Sequence, residues 1–97
     1  MDQTLIDAIN QRQMLCFYYE NLLREVEPHA YGVTPKGGEV LRAWQTGGQT
    51  KSGKVPCWRL FEVDLIQRLY LAGKTFAGPR PDFKRDDETM EKIFAQL

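Results

Sequence analysis

The sequence predicts a mainly β protein of the α+β class, in which a small five-stranded β-barrel is flanked by a helix at each end. Three observations lead to this prediction. Between residues 14 and 71, short segments of alternating apolar and polar residues recur, and residues typical of turns separate them. An apolar stripe with helical spacing precedes these segments. A second such stripe follows them at the C-terminus.

The N-terminal helix is predicted over residues 3–13. Leu5 and Ile9 belong to its apolar stripe, and Asp2 or Thr4 is a suitable N-cap. Because a helix of this length is only marginally stable in isolation, packing against the rest of the protein must hold it.

Five strands follow, and each one ends where turn-forming residues begin. They are predicted at residues 14–19, 23–33, 39–46, 58–63 and 67–71. The segment 34–38 contains Pro35, Gly37 and Gly38, which favour a tight turn, and 47–55 is a polar, Gly-rich loop. Strands of this number and length, joined by turns, indicate a closed or nearly closed barrel of the Sm type.

A short C-terminal helix is predicted from the spacing i, i+3, i+4, i+7 of four apolar residues. These residues are Met90, Ile93, Phe94 and Leu97. Asp86 or Asp87 provides an N-cap. Two prolines exclude regular structure at residues 78–81, so the tail over residues 76–97 leaves the barrel before this helix begins.

Length and composition indicate one folded domain over residues 1–97, with a barrel core at about 14–71. Apolar residues make up 42% of the chain and charged residues 27%, which is ordinary for a folded protein. The 13 basic and 13 acidic residues give a net charge of zero. This balance argues against binding of duplex DNA by bulk electrostatics.

The sequence also indicates where the protein works. It contains no apolar segment of the roughly 20 residues needed to span a bilayer and no signal-peptide pattern. Its two cysteines, Cys16 and Cys57, lack the close spacing of a metal or redox motif. We therefore expect a soluble, cytoplasmic protein that does not bind membranes.

Two arginines occupy strand positions that should face the interior. In an alternating strand, Arg24 shares a face with Val26 and Ala30. Arg59 likewise shares a face with Phe61. An unpaired guanidinium in an apolar environment costs on the order of several kcal/mol. Either carboxylates neutralise these arginines, or the arginines surround a cavity that accepts an anion.

Arg42 and Trp44 form a second candidate surface, because alternation along the third strand places both on one face. A planar, permanently charged guanidinium suits bidentate capture of phosphate, and an exposed tryptophan beside it offers a stacking surface for a base. Two alternatives compete with this interpretation. A terminal helix covers the face, or a structural ion-pair network neutralises the arginines. The acidic candidates for that network are Glu25, Glu27, Glu62 and Asp64.

The remaining motifs do not indicate catalysis or metal binding. Residues 48–54 have the Gly-x4-Gly-Lys spacing of a phosphate-binding loop, but Val55 replaces the hydroxyl residue and a β-rich segment follows. We interpret them as a flexible loop whose two lysines can contact a polyanion. His29, the only histidine, is predicted to line a pocket or to serve a structural role. Without a nucleophile–base pair, paired carboxylates or a Cys/His cluster, we predict no enzyme, no metal and no cofactor.

Several short motifs occur in an order and spacing that match a known family. They are Ala8-Ile9, Phe17-x-Tyr19, Arg24-x-Val26-x-Pro28 with Tyr31, and Arg59-x-Phe61 with Asp64 and Ile66. Over residues 5–71 this pattern resembles the WYL domain. The tripeptide that names the family aligns with Glu39-Val40-Leu41, and Leu65 stands where the family usually has arginine.

The resemblance implies an Sm-like barrel that serves as the sensory part of bacterial transcription regulators and of proteins tied to phage defence or DNA damage. Such domains bind nucleotides or single-stranded nucleic acid on a basic patch. By position, the implied polar lining comprises Arg24, Tyr31, Arg42 and Arg59, with His29 beside it and Leu41 for packing.

We therefore predict a stand-alone bacterial WYL-like domain that binds a small anionic ligand or a short single strand, and regulates without chemistry on that ligand. The predicted ligand-binding residues are Arg24, His29, Tyr31, Arg42, Trp44 and Arg59. The alternative is a protein-interaction or self-association module. It would dock through an exposed barrel edge or through the apolar residues of the C-terminal helix.

Overall fold

The computed structural model describes residues 1–97 and contains one α-helix and six strands. These elements are α1 (Gln3–Asn10), β1 (Gln13–Tyr19), β2 (Leu22–Val33), β3 (Glu39–Gly48), β4 (Cys57–Glu62), β5 (Gln67–Thr75) and β6 (Lys92–Gln96). A single turn of 3-10 helix, Val63–Leu65, joins β4 to β5. The predicted N-terminal helix is confirmed, and the side chain of Asp2 caps it by accepting a hydrogen bond from the Leu5 N–H. None of the helices has the length and apolar character needed to cross a membrane.

All strand pairings are antiparallel, in the order β4-β3-β2-β1-β5. The sixth strand, β6, pairs with the part of β2 that extends beyond β1. Since β4 and β5 lie at opposite ends of this order and do not pair, the sheet is open. The prediction of a closed, five-stranded barrel of the Sm type is therefore wrong. Closure depends on strand tilt and stagger, which the number and length of strands do not determine.

The predicted C-terminal helix is also wrong, because this segment is the strand β6. Its backbone pairs with β2 from Ala30, opposite Gln96, to Val33, opposite Lys92. A short amphipathic segment gains little from forming a helix by itself. The free edge of β2 instead offers it a row of unpaired backbone donors and acceptors. Tertiary pairing therefore overrides the helical spacing.

The predicted turn between β2 and β3 is confirmed. The Gly37 N–H donates a hydrogen bond to the Thr34 carbonyl at 2.8 Å. Gly37 has a φ of 89°, which residues with a side chain rarely adopt. The turn sets the long β2–β3 pairing that positions the arginines.

The main core lies between α1 and the inner face of the sheet. Its fully buried members include Leu5 and Ile9 of the helix with Phe17 and Tyr31 of the sheet. A smaller cluster on the outer face is formed by Ala30, Val40 and Met90. Strict alternation predicted Ala30 on the face of Arg24. A bulge between Pro28 and Ala30 shifts it to the outer face instead.

Candidate functional site

Arg24 is buried on the inner face of the sheet, with only 3% of its surface exposed. Its Nη1 donates to Gln45 Oε1 at 3.2 Å, and its Nη2 donates to the Tyr19 carbonyl at 3.3 Å and to Glu20 Oε1 at 3.4 Å. Cζ lies 5.6 Å from the ring centroid of Tyr19 and 5.8 Å from that of Phe61. The Nε of Arg24 is buried and has no hydrogen-bond partner.

Arg59 lies on β4 and faces the same side of the sheet as Phe61. Its Nη2 donates to Thr50 Oγ1 at 3.1 Å and to Ser52 Oγ at 2.6 Å, both on the loop between β3 and β4. Its guanidinium binds hydroxyl groups and forms no salt bridge. Its Nε, like that of Arg24, is buried without a partner. We call the group formed by Arg24, Gln45, Thr50, Ser52 and Arg59 the two-arginine site.

Positive charge exceeds negative charge around the two-arginine site. The single carboxylate in contact with it is that of Glu20, which also pairs with Lys51 at 3.0 Å. Burial lowers the pKa of Arg24, Glu20 opposes this shift, and the neighbouring charge of Arg59 adds to it. The one carboxylate thus pairs with Arg24 and Lys51 while Arg59 has no carboxylate partner, and an anion placed among these three cations would be stabilised.

Three of the predicted site residues lie on the outer face of the sheet. The Nε of Arg42 donates to Asp87 Oδ2 at 2.8 Å, which neutralises the arginine. Trp44 packs edge-on against Trp58 with ring centroids 5.2 Å apart. His29 is fully buried there. These three side chains therefore lie on the opposite face of the sheet from Arg24 and Arg59.

Tyr31 lies in the main core, away from both surfaces. Its hydroxyl donates to Glu39 and accepts from the Asp2 N–H at 2.6 Å. Burial, together with the bond to Glu39, raises the pKa of Tyr31 to about 12. The tyrosine thereby ties the start of α1 to the sheet. Of the six predicted residues, the structure brings together only Arg24 and Arg59.

Residues 76–91, here called the cover segment, pass over the outer face. Phe83 stacks on Trp58 with ring centroids 6.0 Å apart, and Arg80 Cζ lies 5.9 Å from the ring centroid of Trp44. The sequence left open whether a terminal helix covers the tryptophans. A C-terminal segment covers them, and it is irregular between Phe76 and Glu91.

A groove of about 480 Å³ lies between the cover segment and the outer face of the sheet. Its charged lining residues are Asp82, Asp86, Asp87, Glu88, Arg42, Lys84 and Arg85. Four of them are acidic and three are basic, and Arg42 is already paired with Asp87. This charge balance makes the groove a poor site for an anion.

His29 and Glu27 fasten the cover segment to the sheet. The Arg80 N–H donates to His29 Nε2 at 3.0 Å, so the imidazole proton is on Nδ1, which donates to the Glu27 carbonyl at 2.8 Å. The Glu27 carboxylate binds the Arg80 side chain through two contacts of 2.7 Å. The bond from the Arg80 N–H requires the neutral ring, since a protonated Nε2 cannot accept a hydrogen bond, whereas Nδ1–H can donate to Glu27 in either protonation state.

This arrangement predicts a loss of stability in mild acid. Burial lowers the pKa of His29 below 6.5, partly opposed by its bond to Glu27. As the pH falls, His29 is therefore protonated in the unfolded chain before it is protonated in the folded protein. The stability that neutral His29 contributes is fully present above pH 6.5 and is lost as the pH falls towards the lowered pKa. We expect the urea midpoint to decline between about pH 7 and 5.5, above the range where most carboxylates titrate.

The control is His29→Gln, which has no titrating group at this position. Its urea midpoint should be lower than that of the unmodified chain at pH 7 but nearly constant between about pH 7 and 5.5. An equal decline in both proteins would show that another group causes the pH dependence.

Sequence reasoning missed Gln45, Glu20 and the hydroxyl groups of Thr50 and Ser52. Gln45 could have been found, because alternation from Leu41 through Ala43 places it on the inner face, where it is fully buried. Thr50 and Ser52 carry no such signal. Their contact with Arg59 depends on the path of a long loop.

No family model, curated protein or solved structure matches this chain. The resemblance to WYL domains therefore stays a prediction. No group of three or more His, Cys, Asp or Glu side chains is placed to hold a metal ion.

Proposed function

We propose that this protein binds a phosphate-bearing ligand at the two-arginine site and acts as a regulatory domain without changing that ligand chemically. The ligand class is a nucleotide or a short single-stranded nucleic acid, as the resemblance to WYL domains implies. The observation that carries the proposal is the pair of buried Nε atoms, on Arg24 and Arg59, that have no hydrogen-bond partner.

Unpartnered donors of this kind are costly. A buried polar group without a hydrogen bond costs about 1–3 kcal/mol, and more when it is charged. A phosphate offers several strong acceptor oxygens, and a guanidinium binds two of them in parallel. Such a ligand would satisfy both arginines and balance the excess positive charge. The hydroxyl groups of Thr50 and Ser52 supply further donors.

The chemistry of the surroundings favours binding over catalysis. Gln45 is held by Arg24 and by the carbonyls of Gly47 and Gln49. The single carboxylate, Glu20, is paired with Arg24 and Lys51. The hydroxyl groups of Thr50 and Ser52 bond to each other and to Arg59 and not to Glu20, so no base activates them as nucleophiles. As part of the proposal, the protein works in the cytoplasm, where nucleotides occur and where its free cysteines stay reduced.

Arg59→Ala tests the proposal most directly. Losing one charge-assisted contact to phosphate should weaken binding by about tenfold or more, because such bonds contribute about 1.5–3 kcal/mol. The measurement is calorimetric titration with inorganic phosphate and with a 5′-phosphorylated dinucleotide, at low and high salt. Arg59 is only partly buried, so we expect the variant to fold.

Arg85→Ala is the matched control, because it removes the same charge from an exposed position on the cover segment. Its affinity should equal that of the unmodified protein. Equal affinities of the Arg59→Ala and Arg85→Ala variants for phosphate would contradict the proposed binding site. Cys57 gives a local readout, since it pairs with Gln45 across β3 and β4. Bound ligand should slow its alkylation.

Self-association is a second candidate, favoured by exposed apolar side chains on β4 and β5, whose outer edges are unpaired, and on the turn between them. These residues are Leu60, Leu65, Tyr70 and Leu71. An open strand edge with apolar neighbours is a surface on which a second sheet can pair. Light scattering tests this candidate, which requires a mass of twice 11.2 kDa.

A further inference from the structure

Glu20 occupies an unusual position at the turn between β1 and β2. It has a φ of 55° and the following Asn21 has a φ of 62°, so both residues are left-handed. Two-residue hairpin turns of this kind favour Asn, Asp and Gly. Asn21 fits this preference, whereas a glutamate at such a position is strained. The requirements of the turn do not explain the choice of glutamate.

The contacts of Glu20 do explain it. One carboxylate oxygen accepts from Arg24 Nη2 at 3.4 Å, and the other lies 3.0 Å from Lys51 Nζ. The Glu20 carboxylate therefore bridges the buried arginine and the loop that carries Thr50 and Ser52. Of the two partners in the Arg24–Glu20 pair, Glu20 is the one that reaches solvent, with 42% of its side chain exposed against 3% for Arg24.

We propose that Glu20 is an internal substitute for the ligand, and that a terminal phosphate displaces its carboxylate on binding. This inference rests on the proposed function, because it concerns access to the same site. Glu20 then acts as a gate that weakens binding of ligands with too little negative charge.

The contacts around Glu20 suit displacement. Its side chain is 42% exposed and that of Lys51 is 72% exposed, so both can turn to water. The exposed Glu20–Lys51 pair is therefore weak, and the 3.4 Å contact of Glu20 with Arg24 is long for a charge-assisted hydrogen bond. Arg24, in contrast, is held by Gln45 and by the Tyr19 carbonyl and cannot follow. Moving Glu20 away would therefore leave Arg24 in place for the ligand.

Charge determines which ligand displaces Glu20 best. The carboxylate contributes one negative charge, and an internal phosphodiester would only replace it. A terminal phosphate carries a charge of about −1.5 to −2 at pH 7 and has three strong acceptor oxygens. It therefore competes better for Arg24, Arg59 and Lys51. The inferred ligand class is a phosphate monoester, such as a mononucleotide or a 5′-phosphorylated strand.

Glu20→Gln tests the gate in the full chain, since it keeps the shape of the side chain and removes its charge. By calorimetric titration, inorganic phosphate and a 5′-phosphorylated dinucleotide should bind the variant about fivefold tighter than the unmodified protein. The same dinucleotide without its terminal phosphate should gain less. Glu91→Gln is the matched control, because it removes one negative charge from an exposed residue of the cover segment.

The outcomes separate this inference from the proposed function. If Arg59→Ala weakens phosphate binding but Glu20→Gln leaves it unchanged, the site stands and the gate is overturned. Equal gains for Glu20→Gln and Glu91→Gln would attribute the effect to bulk charge and also overturn the gate. An equal gain for both dinucleotides would overturn the preference for a terminal phosphate. If neither phosphate nor the dinucleotides bind any of these proteins, both the proposed function and the role of Glu20 as a gate are overturned.

Discussion

Phe61→Ala is expected to lower the free energy of unfolding by about 3–5 kcal/mol, the usual cost of truncating a buried aromatic side chain. Phe61 is only 2% exposed. Its ring meets those of Phe17 and Tyr19 edge-on, each at a centroid distance of 4.9 Å. A loss of this size is a large part of the roughly 5–15 kcal/mol that stabilises a typical domain. Urea unfolding followed by tryptophan fluorescence measures it.

The same substitution should also weaken the two-arginine site, because the guanidinium of Arg24 lies over the Phe61 ring. Phe61→Leu is the control, since leucine fills most of the space. It should cost about 1–2 kcal/mol and retain phosphate binding. A loss below about 1 kcal/mol for Phe61→Ala would contradict the packing of β4 on the main core.

Gly32→Ala is expected to destabilise the protein by about 3 kcal/mol, towards the upper end for overpacked sites. A Cβ atom on Gly32 would lie 2.3 Å from the Lys92 carbonyl oxygen and 3.1 Å from Ile93 Cα. Both atoms belong to the backbone of β6, and β3 holds β2 on its other edge. The strand β6 must therefore move away from β2.

Two measurements detect this displacement of β6. Urea unfolding gives the loss of stability, and amide hydrogen exchange should show lost protection in β6 before the rest of the sheet. Gly38→Ala is the control, because the nearest atom to its Cβ would be Thr34 Oγ1 at 3.7 Å. It should change stability by no more than about 0.5 kcal/mol. Equal effects of the two substitutions would contradict the pairing of β6 with β2.

Much of the secondary structure could be predicted from local pattern. Alternation along β4 places Arg59 on the inner face with Phe61, and the structure agrees. The Pro–Gly-rich segment 34–38 forms the expected turn, and the helix begins after Asp2. These features depend on residues close in sequence, so the sequence alone carries enough information to predict them.

Three predictions about the fold failed: the closed barrel, the C-terminal helix and the face of Ala30. The first two depend on interactions between distant segments. The spacing of Met90, Ile93, Phe94 and Leu97 favours a helix, yet Lys92–Gln96 forms a strand. Its partner is the free edge of β2, some 60 residues earlier. Alternation also failed at Ala30, because a bulge adds a residue there and reverses the faces.

In the candidate site, too, local pattern predicted some features, whereas contacts between distant segments could not be predicted. Sequence parity placed Arg24 and Arg59 towards the interior, where an unpaired guanidinium requires either a carboxylate or an anion. It could not show that Arg42 meets Asp87, or that Thr50 and Ser52 reach Arg59. Those contacts join segments whose positions depend on the folding of the whole chain.

The amino-acid sequence by itself determined the helix, most of the strands and the inward direction of two arginines, because each follows from the period of a local element. Only the tertiary structure decided that the sheet stays open, that the C-terminal segment pairs with β2, and that Arg42 is neutralised. The physical reason is that a backbone edge or a guanidinium takes whichever partner the fold brings within hydrogen-bonding distance. Spacing along the chain does not specify that partner.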